Sequence, residues 1–112
     1  MNNLYAIYRT DYAEDQLRNI VNYIADESGD VITALYYLDK IETAVLRLEN
    51  FPYSGSLPRN RTLRKLGYRV LIVQHHLIFY KVSEADQIVI IYAIVDSRQD
   101  YARIVLGTPA VM

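Results

Sequence analysis

Residues 87–95 read QIVIIYAIV, an unbroken run of β-branched, aromatic and small apolar side chains after its first residue. Such a run, short and rich in Ile and Val, predicts a strand. Period-two alternation would send Ile88, Ile90, Tyr92 and Ile94 to one face of a sheet and Val89, Ile91, Ala93 and Val95 to the other. Both faces are apolar, and a strand apolar on both sides must be covered on both sides. The chain therefore has to supply a layer above this strand and a layer below it.

One layer is legible upstream. Residues 11–28 place Ala13, Leu17, Ile20, Val21 and Ile24 at helical spacing, and Asp11 and Glu14 stand in capping-box spacing at the start. Gly29 breaks the pattern. Residues 30–51 repeat it, with Asp30 as a good cap and Val31, Ala34, Leu35, Leu38, Ile41, Val45 and Leu48 as one apolar face. Two amphipathic helices joined by a tight turn predict an antiparallel helical hairpin. PYSGSLP (52–58) is rich in turn formers and predicts a loop. NLYAIYR (3–9), LGYRVLIVQ (66–74) and HLIFYKV (76–82) read as further strands, with turns at His75–His76 and Ser83–Asp86. The order is β-α-α-β-β-β, an α+β domain with the hairpin on a mainly antiparallel sheet. SRQDYARIVL (97–106) predicts a short C-terminal helix that supplies part of the second cover, a partner supplying the rest. GTPAVM (107–112) reads as a flexible tail, and residues 1–112 as a single domain.

Composition narrows the function classes. A hydrophobic fraction of 52% over 112 residues supports one packed core. The absence of cysteine removes disulfide frameworks, thiol nucleophiles and Cys-ligated metals, and fits a reducing cytoplasm, the expected location. No apolar run approaches the roughly 18–20 residues needed to cross a bilayer, and MNNLYAIYRT lacks the pattern of a signal peptide, so no membrane association is expected. Asp96 and Asp100 form no organised ligand cluster and read as capping or ion-pairing residues. No metal, no other cofactor and no small-molecule substrate is expected.

Charge is distributed unevenly behind a formal net charge of −1. Residues 1–50 hold four basic and nine acidic side chains; residues 51–112 hold eight basic and four acidic. The segment NRTLRKLGYR (60–69) concentrates Arg61, Arg64, Lys65 and Arg69, with Arg59 just before it and no carboxylate among them. Arg59 and Arg61 are expected in the loop and Arg64, Lys65 and Arg69 on or beside the next strand, with Arg69 facing outward. A solvated strand edge accounts for such a run. So does a positive patch for an acidic protein segment or for nucleic-acid phosphate.

Taken in order, LENFPYSG at the end of the hairpin, the LR segment, YRVLIVQHHLIFYKV and the closing SRQDY resemble the RelE/ParE superfamily of toxins from type II toxin–antitoxin modules, over about residues 3–106. The resemblance implies a growth-arresting toxin and a cognate antitoxin, a small acidic protein encoded beside it. It leaves two targets open. ParE-like members poison DNA gyrase without cleaving nucleic acid. RelE-like members cleave mRNA in the ribosomal A site, with cations on the middle strands and a late Arg and Tyr or His. Arg98 matches that late Arg and Tyr101 lies near the late Tyr, while His75 and His76 can carry protons. The middle-strand cation positions fall on Leu77 and near Tyr68 and Val70. A leucine cannot hold a phosphorane, so the resemblance favours gyrase inhibition, with mRNA cleavage and a non-catalytic antitoxin-binding module as alternatives. Arg98, Tyr101, His75 and His76 are then the catalytic candidates of the nuclease reading. Arg61, Arg64, Lys65, Arg69 and Lys81 are the candidates for antitoxin or target binding.

Overall fold

The structure, a computed structural model, describes residues 4–108. It comprises β1 (Ala6–Arg9), α1 (Asp11–Ser28), α2 (Val31–Leu46) running into a 3-10 turn (Arg47–Glu49), α3 (Arg61–Lys65), β2 (Arg69–Val73), β3 (His76–Ser83), β4 (Ile88–Asp96) and α4 (Tyr101–Leu106). The four strands form one sheet in the order β1-β4-β3-β2. β1 runs parallel to β4, and the other pairs are antiparallel. The α+β order and the helical hairpin thus stand as the sequence predicts.

Local chemistry explains the helix ends. The first helix is capped by Thr10, whose hydroxyl accepts from the Ala13 amide at 3.0 Å, and not by the Asp11–Glu14 box. Glu14 is instead held by Arg9, which also reaches Glu42 and so ties β1 to both helices. Gly29 ends α1 in the left-handed region at φ 67, a conformation glycine adopts without a Cβ penalty. Asp30 caps α2 as expected, accepting from the Ile32 amide at 3.0 Å.

The buried face of α2 differs from the sequence reading. Ala34, Tyr37, Ile41, Val45 and Leu48 are buried, whereas Leu35 is 53% exposed and Val31 64%. At 100° per residue Leu35 stands about 120° from Ile41 around the helix, outside the stripe. Tyr37 takes the place assigned to Leu35.

Both faces of β4 are covered. Val89, Ile91 and Ile94 pack under the hairpin with Ile78, Tyr80 and Ile41. Ile90, Tyr92, Ala93 and Val95 pack on the other side with Phe79, Leu63 and Val105. The regular alternation expected for 88–95 fails in the middle. Phe79 lies opposite Ala93 but Tyr80 opposite Ile91, so the strand bulges at Tyr92 and Ala93 moves to the face of its neighbour. The second cover comes from α4 and from α3, a helix where the sequence suggested loop and strand edge. Asn60 caps α3, accepting from the Leu63 amide at 3.0 Å, and Leu63 is fully buried. The expected tail lies outside the described residues from 109 onward; Gly107 and Thr108 close α4 through bonds to Arg103, Ile104 and Val105.

Candidate functional site

The N-terminal half of α2 and the C-terminal half of α1 splay over the end of the sheet. The space beneath them is a groove of about 880 Å³. Helix α1 lines it with Gln16, Asn19, Ile20, Tyr23 and Ile24, and helix α2 with Thr33, Tyr36, Tyr37 and Lys40. The β2–β3 turn adds Gln74, His75 and His76, and the end of β4 with the following turn adds Ile94, Asp96, Arg98 and Gln99.

Hydrogen bonds fix several of these groups. The Tyr37 hydroxyl lies 3.0 Å from the Val73 carbonyl and 2.5 Å from His76 Nδ1. With the phenol donating to the carbonyl, His76 donates from Nδ1, which leaves Nε2 as a free acceptor in the neutral ring. Burial pushes the Tyr37 phenol up, and the charge of Asp96 adds to it, so it stays protonated. Burial pushes His76 below its ordinary value, and Asp96, its partner across the β3–β4 ladder, pulls the other way; His75 and Arg98 reinforce the fall. Asp96 itself is held well below the usual carboxylate range by the side chain and amide of Arg98. The pair is a fork: Arg98 Nε and Nη2 donate to the two carboxylate oxygens at 2.9 and 2.7 Å. Gln16 accepts from the Ile94 amide at 2.7 Å and Gln99 from the Asp96 amide at 3.2 Å, each turning its NH₂ away from that contact. The two-residue turn Gln74–His75 carries Gln74 at φ 52, an uncommon left-handed value for a residue with a side chain.

The four catalytic candidates do not converge. His75, His76 and Arg98 line the groove. Tyr101 lies in α4 and stacks on Phe79, ring centroids 5.6 Å apart, within the cluster on the opposite face of the sheet. The positions where a RelE-type nuclease resemblance asks for middle-strand cations are part of that same apolar cluster: Tyr68 and Val70 are buried and Leu77 packs against them. Tyr37, Gln16 and Gln99 belong to the groove and were not named as site residues from the sequence, while Asp96, read there as a capping or ion-pairing residue, pairs with Arg98. Tyr37 has a signal, its spacing from Ala34 and Ile41; the others become neighbours only through folding.

The cationic candidates divide as well. Arg61, Arg64 and Lys65 project from α3 into solvent. Arg69 is not outward-facing. Its guanidinium donates to the carbonyls of Tyr53 and Gly55 at 3.0 and 2.9 Å and lies 5.5 Å from the Tyr53 ring centroid. Lys81 covers the rings of Tyr68 and Tyr92, 4.6 and 5.2 Å from their centroids.

The His76 environment has a measurable consequence. A histidine whose folded pKa lies below its unfolded value of about 6.5 favours the unfolded state once that state is protonated. Stability is therefore expected to fall as pH drops from about 6.5 through the lowered His76 value. Asp96 is also shifted down, but as an acid it gains stability from its charged form in the fold, and that contribution is lost only as pH falls through and below the ordinary carboxylate range. Thermal melts between pH 7.5 and 5 should show a decline that His76→Gln flattens; an equal decline in the variant would assign it to other groups.

Comparison with known proteins agrees with this architecture. The family model described as ParE toxin of type II toxin-antitoxin system, parDE, matches residues 7–101. No curated protein matches the sequence. Among solved structures, the chromosomal ParDE toxin–antitoxin system from P. aeruginosa aligns with a TM-score of 0.68 at 17% identity, covering 84% of this chain and 97% of that one. The toxin–antitoxin complex RelBE2 from Mycobacterium tuberculosis aligns at 0.61 with 16% identity, covering 83% and 98%. A mutant of the E. coli toxin RelE in the free state aligns at 0.61 with 8% identity, covering 89% and 90%. At these identities the structures share the fold, while the family match spans most of the sequence: the chain belongs to the ParE toxin family of type II toxin–antitoxin systems.

Proposed function

We propose that this toxin arrests growth by binding DNA gyrase through protein contact, and that a cognate acidic antitoxin neutralises it. One observation carries the choice of target. The sheet face on which a RelE-like nuclease would need middle-strand cations is an apolar cluster beneath α3 and α4, and Tyr101 is packed into it away from Arg98 and the histidines. Metal-independent cleavage requires a base, an acid and phosphorane-stabilising cations converging within hydrogen-bond reach of one phosphate. A protein target needs only surface, and the hairpin offers it: Tyr23, Ile32, Leu35 and Tyr36 are all more than half exposed. The cations Arg61, Arg64 and Lys65 on α3 suit an acidic antitoxin segment.

Two parallel assays on the purified toxin test the proposal. Gyrase supercoiling should be inhibited, with cleaved DNA accumulating, and mRNA on programmed ribosomes should stay intact. A-site cleavage by the wild-type protein, lost in Arg98→Ala, would replace gyrase by the ribosome as the target.

A further inference from the structure

The groove under the hairpin is unusual in its balance of hydrogen-bonding groups. Several of its donors are free, and two of them are cationic. Lys40 contributes an ammonium. Arg98 keeps Nη1 clear of the fork to Asp96, which uses Nε and Nη2. The amides of Gln16 and Gln99 have their oxygens engaged by backbone N–H groups, so their NH₂ ends are the free ones. The one carboxylate in the lining, Asp96, has both oxygens on Arg98. Two imidazoles line the groove, His75 and His76, and His76 has Nε2 clear of its contact with Tyr37.

The walls are aromatic. Tyr23, 65% exposed, stands at the mouth with no ring or cation over its face among the described residues. It lines the same groove as Arg98. Lys40 lies 5.0 Å from the centroid of the Tyr36 ring on the facing helix. Two cations thus flank a gap bounded by tyrosines.

We propose that this groove binds a nucleoside monophosphate. Any base offers a flat π-face for Tyr23, and guanine and uracil add carbonyl acceptors for the amide NH₂ groups and a ring N–H for a neutral histidine. Its phosphate carries the negative charge that Lys40 and Arg98 would meet. Stacking on an exposed aromatic ring tolerates any base, which is why the class is named and not one nucleotide. The site is separate from α3 and from the α4 side of the sheet, and it goes beyond gyrase inhibition: a toxin whose target is a protein would also carry a small-ligand pocket.

Calorimetric titration of the purified toxin with AMP, GMP, CMP and UMP tests this, with ribose 5-phosphate and an eight-nucleotide single-stranded RNA as further arms. At least one nucleotide should bind, ribose 5-phosphate should bind at least tenfold more weakly, and Tyr23→Ala and Arg98→Ala should each weaken binding about tenfold or more while circular dichroism stays unchanged. Tyr23→Phe should retain affinity, since the ring and not the hydroxyl stacks. Tighter binding of the RNA than of any monophosphate identifies a strand as the source of the nucleotide; equal or weaker binding identifies the free nucleotide. No heat with any nucleotide at millimolar concentration overturns the proposal. Equal affinity for ribose 5-phosphate does too, because the groove would then be an anion site without a base pocket, and so does wild-type affinity in Tyr23→Ala.

Discussion

Leu48→Asp unfolds the toxin, whereas Leu35→Asp leaves it folded. Both leucines belong to the apolar pattern of the second helix, yet Leu48 is fully buried under the hairpin and Leu35 is 53% exposed. Truncating a buried leucine to alanine already costs about 2–5 kcal/mol. A carboxylate in the same place adds a desolvation cost with no cation to offset it. The sum approaches the whole stability of a small domain, about 5–15 kcal/mol. At position 35 the carboxylate stays in water, and a surface change of this kind shifts stability by about 0.5 kcal/mol or less. Circular dichroism melts separate the two: no cooperative transition for Leu48→Asp, a near wild-type midpoint for Leu35→Asp. A stable Leu48→Asp protein would contradict the packing of α2 on the sheet.

Arg69→Ala is expected to lower the melting midpoint by about 10 °C. The guanidinium holds the 53–55 loop onto β2 through two carbonyls and the Tyr53 ring, and hydrogen bonds to a charged donor contribute about 1.5–3 kcal/mol when protected. Allowing for partial solvent screening, about 2 kcal/mol is lost, which a domain of this size registers as such a shift. The same loop is held from below by Tyr80, whose hydroxyl accepts from the Gly55 amide at 3.0 Å. Charge reversal at Arg69 is therefore a poor probe of docking. Lys65→Glu is a cleaner one, because Arg64 donates to the Pro58 carbonyl whereas Lys65 is exposed on α3: its melting midpoint should match wild type, and antitoxin affinity should fall by an amount that shrinks in high salt. An unchanged midpoint in Arg69→Ala would mean that the loop is anchored without it.

The parts of the fold that were legible depend on local pattern. Asp30 and Gly29 mark helix ends because their chemistry acts within a few residues, and the change from helical to alternating period is visible in any window. The parts that were hidden depend on distant partners. Whether Leu35 or Tyr37 faces the core is decided by where the β2–β3 turn places the Val73 carbonyl, which accepts from the Tyr37 hydroxyl, and His76, whose Nδ1 lies against it. The bulge at Tyr92 exists only against β3. Arg69 reads as one more exposed cation until the loop carbonyls 14 and 16 residues upstream are brought to it. The groove draws on residues 16 to 99, and no spacing along the chain announces that Gln16 and Ile94 will touch.

Strand β4 is one of the two interior strands of the sheet and the last of the four to be synthesised. It bonds β3 on one side and β1 on the other, and Thr10, just past β1, reaches the Tyr92 carbonyl across 82 residues of chain. During translation, β1 and both helices emerge with their seat in the sheet still unmade, and contacts so far apart in sequence close late. A nascent chain halted before residue 88 lacks the strand that joins β1 to β3, and its hairpin has only β2 and β3 to lie on. The order of strands thus acts as a timer: the toxin acquires its shape, and with it any capacity to harm the cell that makes it, only after Ile88–Asp96 has left the ribosome.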